Sequence, residues 1–360
     1  MGSIRGAKAL VVAAACAALM AGCGGGHTSD PGSGKDVSID VGGGYTIKTE
    51  GKPLRIAYFA VGSNNSYLQA SYDEAKKTAT KLGVKLDIFD GEFDPAVQQN
   101  QMQSALASKK YNAWIVQPSS GETACNIAAK QAPAQGILVQ NLDSTLCGKL
   151  YGEGEELWTP GTLNFVGGNE SVAAWTTLIE KAAADNPGPQ KVSLLLGPNL
   201  NSITKAFLRA LEQSAPKDWK IINPVFTDYS VPDAQAKATP LVQANKDMTI
   251  MLSAYTNITK GGVAALKNTG LLGKVKIYEG GGTVTGVNYI KDGTTEATLA
   301  RYSRAPIRYS IEAVVDAWAG KKVPRYTGND GHEDEVGRPA NAPVFVVTKE
   351  NVDNYHPEND

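Results

Sequence analysis

Histidine is almost missing from this chain: of 360 residues only His27, His332 and His356 carry an imidazole, all in polar stretches. That removes the usual general base, the nucleophile–histidine relay and the histidine metal site. The four cysteines show no Cys/His zinc spacing, and no G-x-S-x-G occurs. Gly32-Ser33-Gly34-Lys35 lacks both the Walker spacing and the hydroxyl residue that should follow it. A formal net charge of −1 gives no electrostatic reason to expect nucleic acid or an anionic membrane surface as partner. No apolar run approaches the ~20 residues of a membrane span. Asp90, Glu92 and Asp94 are close in sequence, but on a turn before a helix they read as a cap cluster. A carboxylate-pair glycosidase is the remaining enzymatic alternative. The chain is therefore read as no enzyme, with no cofactor and no metal.

What is present begins at the amino terminus. Arg5 and Lys8 precede a short apolar run at 9–20 and small residues, which describes a secretory signal. Twelve residues in helix span about 18 Å, well short of a bilayer core of ~30 Å. Leu19-Met20-Ala21-Gly22-Cys23 resembles the bacterial lipobox, whose cysteine is acylated. A plain secretory signal with a coincidental cysteine is the alternative. The lipobox reading makes 1–22 a signal peptide and 23–53 a polar, Gly-rich, lipidated flexible tether. The body would then lie outside the cytoplasm, held to the cell membrane through Cys23. Cys125 and Cys147 remain, and in an oxidising compartment they most simply form one disulfide. Two separate buried thiols are the other possibility.

From residue 54 short apolar runs alternate with longer amphipathic ones. Strands are expected at 54–60, 85–89, 113–117, 137–140 and 164–166, with helices at 67–82, 95–109 and 122–134 between them. Residues 148–160 interrupt the pattern. It resumes with helices at 171–184, 202–214, 233–244, 258–269, 284–291 and 306–318. The strands between are expected at 191–196, 220–226, 249–253, 275–278, 297–302 and finally 344–347. Such β-α-β-α order implies parallel, doubly wound sheets covered on both faces. Two similar halves point to two lobes with a cleft between them.

Across residues 54–348 the chain resembles a known family. The resemblance rests on IAYFAVGSNNSYLQASYDEAKKTATKLGVKLDIFD at 56–90, YNAWIVQPSS at 111–120, GGVAALKNTG at 261–270 and EATLARYSRAPIRYSIEAVVDAWAG at 296–320. These are similar to the ribose-binding-protein type of periplasmic solute receptor, the extracytoplasmic part of sugar ABC importers. The resemblance implies the α/β type I periplasmic-binding-protein fold, with lobes at 54–166 plus 303–322 and 167–302 plus 340–360. It also implies three hinge crossings, near 166–168, 302–304 and 320–343. A monomer delivering a sugar or sugar alcohol to a permease and its ATPase is expected. A receptor reporting to a membrane sensor kinase is the alternative.

In open α/β sheets ligands sit beyond the carboxyl ends of the strands, so the residues there are the candidates. Asn64, Asn65 and Tyr67 follow the first strand, and Asn side chains both donate and accept, as hydroxyls do. Each Asn could instead be a helix cap. Asn141 stands where the family has a carboxylate, and Asp143 supplies one two residues later. Lys205 replaces a family arginine, Tyr255 an asparagine and Arg301 a glutamine, while Tyr229 falls where the family stacks an aromatic on the sugar. Gly281 replaces a family aspartate outright. Tyr67 and Tyr229 are expected to sandwich the ligand's C–H faces. With fewer acidic acceptors the pocket is less suited to ribose, leaving another pentose, a sugar alcohol or a sugar acid open.

Overall fold

A computed structural model describes residues 36–168, 170–328 and 344–360. The expected signal peptide, the expected lipobox with Cys23 and most of the expected tether lie outside these described residues. The stretch expected to be tether as far as residue 53 is structured from residue 38. Residues 36–49 contain a hairpin, β1 (Ser38–Gly42) against β2 (Tyr45–Lys48). Its turn uses Gly43 and Gly44 at φ of 64° and 83°, the left-handed pair that a tight hairpin requires. Ile39, Val41 and Ile47 alternate with polar residues and are buried in the core of the first lobe. The glycines that suggest a flexible linker are here the turn.

The first lobe takes β3 (Arg55–Ala60), α1 (Ser66–Leu82), β4 (Lys85–Asp90), α2 (Pro95–Ser108) and β5 (Ala113–Val116). Next comes α3 (Gly121–Asn126), which passes through a π-helical turn (Ile127–Gln131) into α4 (Ala132–Ala134). The strands β6 (Leu138–Asp143) and β7 (Phe165–Gly167) follow. The chain then crosses to the second lobe. There lie α5 (Val172–Asp185), β8 (Lys191–Leu196), α6 (Ser202–Ser214), β9 (Lys220–Ile221), β10 (Val225–Phe226) and α7 (Val231–Ala244). It continues with β11 (Ile250–Ser253), α8 (Thr256–Asn268), β12 (Lys276–Glu279), α9 (Val284–Asp292) and β13 (Ala297–Leu299). A second crossing returns it to the first lobe for α10 (Ala305–Trp318) and β14 (Tyr326–Gly328). By β15 (Val346–Thr348) it is back in the second lobe. The third crossing, expected within 320–343, therefore falls between β14 and β15, where residues 329–343 lie outside the described residues.

The first sheet has the order β14-β7-β6-β5-β3-β4 and is parallel throughout. The second runs β10-β8-β11-β12-β13-β15, with β9 also on β8, and only β15 is antiparallel. Parallel strands must be apolar on both faces because helices cover both; β5 and β11 are buried along their whole length. The single strand expected at 220–226 is two short ones, separated by residues that include Pro224, which has no N–H for the ladder. Cys125 and Cys147 form a disulfide between α3 and the loop after β6.

Closing a loop of 22 residues should stabilise the first lobe by about 3 kcal/mol. Cys125→Ser/Cys147→Ser is expected to lower the urea midpoint accordingly, and unfolded, unreduced wild-type protein to show no free thiol from this pair. An unchanged midpoint would contradict the assignment.

Candidate functional site

Every strand rule for open α/β sheets points to the same place, and the loops leaving the strand ends enclose a cavity of about 40 Å³ between the lobes. Val61 follows β3, Phe93 follows β4, Gln117 follows β5, Ser144 follows β6 and Glu170 follows β7. From the other lobe Tyr229 follows β10, Tyr255 follows β11 and Arg301 follows β13. Asn65, Tyr67 and Leu68 on α1 and Ile203 on α6 complete the lining.

Two aromatic rings face each other across the lobe boundary. Phe93 and Tyr229 have centroids 5.2 Å apart at 33°. They occupy comparable places, Phe93 in the loop after β4 and Tyr229 in the loop after β10, each resting on a glycine just after β3 or β8. A Cβ on Gly62 would come within 2.4 Å of the Phe93 ring, and one on Gly197 within 2.2 Å of Tyr229. Both aromatic residues sit at positive φ, 56° and 67°. Such strain in non-glycine residues persists only where surrounding packing enforces it. Tyr255 meets Tyr229 edge-on at 6.3 Å, and its hydroxyl accepts a bond from Asn359 Nδ2 at 3.1 Å.

Charge is concentrated at one end of the cavity. Arg301 Nη1 lies 2.8 Å from Glu170 Oε1, and both side chains are buried. The guanidinium stacks over Trp175 at 5.1 Å. Glu170 Oε2 accepts from Ser144 Oγ at 2.9 Å. The Arg301 backbone is held by Tyr355, whose hydroxyl accepts its N–H at 3.1 Å and donates to the Gly282 carbonyl at 2.6 Å. Beside this pair Asp143 Oδ2 accepts from Gln117 Nε2 at 2.6 Å and from the Tyr67 hydroxyl at 3.2 Å. Among the described residues, Arg301 Nε and Nη2 are buried without a protein acceptor. Burial pushes the Asp143 carboxyl up to about 8, with the Glu170 charge adding to it against Gln117, Tyr67 and Arg301. Glu170 is raised by burial as well, with Arg301 drawing it back.

Of the residues singled out in the sequence, Asn65, Tyr67, Tyr229, Tyr255 and Arg301 line the cavity. Asn65 is also the cap of α1, accepting from Leu68 N–H at 3.0 Å. Asp143 borders an adjoining space of about 10 Å³. The others lie elsewhere. Asn64 donates to the Asp228 carbonyl at the rim, 3.2 Å away. Asn141 donates its amide to the Val116 carbonyl of β5 and the Ser144 carbonyl after β6 at 3.2 and 2.8 Å, while among the described residues its Oδ1 has no partner. Lys205 is paired at the exposed rim with Glu122, 2.8 Å away. Gly281 could not carry a side chain, because a Cβ would fall 1.9 Å from Thr256 Oγ1. Glu279, two residues before it, is fully buried and held by Thr256 and Thr298 at 2.9 and 3.0 Å. The partner facing Tyr229 is Phe93 rather than Tyr67. Asp94 does cap α2, accepting from Ala96 N–H at 2.7 Å. Phe93, Gln117 and Glu170 are absent from the sequence-derived set, although each follows a strand and the strand-end rule alone would have named them.

A carboxyl with a folded-state pKa of about 8 against an ordinary 3.8 keeps its proton in the native state while the unfolded chain ionises. Stability should therefore fall as pH rises from 4 to 8 and level off above. Asp143→Asn is expected to flatten that part of the curve, matching wild type near pH 4 and exceeding it at pH 8 in urea midpoints. Parallel curves for the two proteins would contradict the assignment.

A family model described as the periplasmic binding protein domain matches residues 56–322. No curated protein sequence matches. Among solved structures, a Caulobacter myo-inositol binding protein bound to myo-inositol is similar at TM-score 0.68 and 18% identity, covering 83% of this chain and 95% of that one. An ABC transporter solute binding protein from Mycobacterium smegmatis with bound glycerol is similar at 0.67 and 22%, covering 83% and 96%. The binding component of the arabinose ABC transporter from Shewanella sp. ANA-3 is similar at 0.68 and 15%, covering 83% and 93%. At these identities the structural likeness speaks to the fold. Among the described residues no group of three or more metal-ligating side chains occurs, and no helix is long and apolar enough to cross a membrane. Because the family match spans most of both lobes, the chain belongs to the periplasmic binding proteins, which bind solutes rather than transform them.

Proposed function

We propose that the chain is the extracytoplasmic receptor of an ABC importer, tethered through an acylated Cys23. In this reading it binds a monosaccharide or sugar alcohol between its lobes and delivers it to a permease with its ATPase. One observation carries the solute reading: a buried guanidinium with two donors, Nε and Nη2, unused among the described residues, lining the same cavity as a facing pair of aromatic rings. Unused buried donors are costly, and hydroxyl oxygens of a solute would satisfy them. The rings offer flat surfaces to C–H faces. Similar structures hold glycerol and myo-inositol, both polyols. Glu170 and Asp143 provide acceptors, and the protonated Asp143 also a donor, for further hydroxyls. A space of about 40 Å³ holds roughly one water, so a sugar enters only when the lobes part and the Phe93–Tyr229 contact opens. This also explains why the lining is drawn from both lobes.

Calorimetry against glycerol, myo-inositol, L-arabinose and a panel of further monosaccharides tests the reading. Arg301→Lys keeps the charge opposite Glu170 but removes the planar fork, and Tyr229→Ala removes a wall. Each is expected to weaken the best ligand at least tenfold, in line with ~1–3 kcal/mol per unsatisfied or lost contact. Lys205→Ala should cost a few-fold at most, since exposed pairs contribute ~0–1 kcal/mol. Failure of every panel member to bind, or a Lys205 effect equal to that of Arg301, would contradict it.

A further inference from the structure

The segment between β6 and β7 belongs to the first lobe at both its ends, yet its middle does not. Cys147 fixes one end to α3 through the disulfide. Trp158 fixes the other, lying against Gly42 of the hairpin, where a Cβ would be 2.7 Å from its ring, and under Arg325 at 4.6 Å. Between them a single helical turn (Lys149–Tyr151) reaches across and packs on α5 and α6 of the second lobe. Leu150 is 5% exposed and is part of that lobe's apolar core. Tyr151 lies 5.7 Å from the Arg209 guanidinium on α6.

The same face of α6 makes further contacts with the first lobe. Ser202 N–H donates to the Ser119 carbonyl at 3.3 Å, and Ser202 Oγ accepts from Gly121 N–H at 3.0 Å. Lys205 meets Glu122, one residue on. Ser202, Lys205 and Arg209 stand at i, i+3 and i+7, so one stripe of α6 is turned to the partner lobe. The Lys205 and Arg209 contacts lie at the exposed rim, where water replaces them readily, while the Ser202 bonds are buried but polar. Leu150 is different in kind. It is an apolar side chain from one lobe seated in the core of the other, and parting the lobes returns it to water. The disulfide three residues before it removes much of the freedom that presenting it would otherwise cost.

We propose that Leu150, presented by the disulfide-fixed turn, is a positioning residue that holds the lobes closed and so sets how long the cleft retains its solute. This rests on the reading that the solute binds between closed lobes. Leu150 does not line the cavity between the rings and borders only the adjoining space of about 10 Å³ beside Asp143 and Glu170, so its replacement should act mainly on opening, which the rates separate from recognition. Stopped-flow measurements use whichever of glycerol, myo-inositol and L-arabinose binds the wild-type protein. In Leu150→Ala the dissociation rate is expected to rise at least tenfold, with the association rate within threefold of wild type. Solution scattering without any solute should show a larger radius of gyration for Leu150→Ala than for wild type. Leu150→Met, which conserves volume, should restore both. An unchanged dissociation rate, identical scattering curves, or a Leu150→Met variant as impaired as Leu150→Ala would each overturn the proposal. If none of the three solutes binds, the cleft reading fails on its own, and the scattering comparison still decides the role of Leu150.

Discussion

The ion pair between Arg301 and Glu170 joins the two chain crossings that the structure describes, and much of the cleft is arranged around burying it. Glu170 stands in the crossing after β7 and Arg301 in the crossing after β13. Two buried charges depend on each other and on the bonds that answer their remaining valences, and removing one partner costs ~3–5 kcal/mol. Ser144 answers one carboxylate oxygen, the Trp175 face answers the guanidinium plane, and Tyr355 pins the backbone behind it. Asp143 lies beside the pair. Burial first, and the Glu170 carboxyl second, push its carboxyl up to about 8, so the site holds a carboxylic acid near neutrality. One cation, one anion and one neutral acid suit a solute with hydroxyls that both donate and accept.

Closure is a balance of contacts across the lobes. The Phe93–Tyr229 face, the Asn64–Asp228 bond, the Lys205–Glu122 pair and the Leu150 turn all form between elements of different lobes. A receptor of micromolar affinity has only about −8 kcal/mol in total. Any one apolar contact between the lobes is therefore a large share of what separates open from closed. Comparable placement of the two rings, each on its glycine seat, means that the lobes present like surfaces to a solute held between them.

Most of the architecture was legible because parallel sheets impose a strong pattern: short apolar runs, amphipathic helices, and caps such as Asn65 and Asp94. The disulfide followed from cysteine count and compartment. What was not legible has physical reasons. The hairpin at 38–48 is too short and Gly-rich to separate from a linker until its alternate residues are seen to be buried. Phe93 was hidden inside an acidic cap cluster, and its role depends on Gly62 below it, a contact between loops of different units. Glu170 follows a strand of three residues, whose end is hard to place. Lys205, Asn141 and Gly281 were chosen by correspondence with a family, and their own neighbours, Glu122, Ser144 and Thr256, occupy them otherwise.

A crystal structure with the tightest-binding polyol or monosaccharide tests the central claim most directly. The account predicts the solute's ring or chain between Phe93 and Tyr229, those rings moved apart from their 5.2 Å separation. Its hydroxyls should lie within hydrogen-bond distance of Arg301 Nε and Nη2, with the Glu170–Arg301 pair intact. A solute bound outside the lobe boundary, or one that leaves Arg301 untouched while the rings remain in contact, would contradict it.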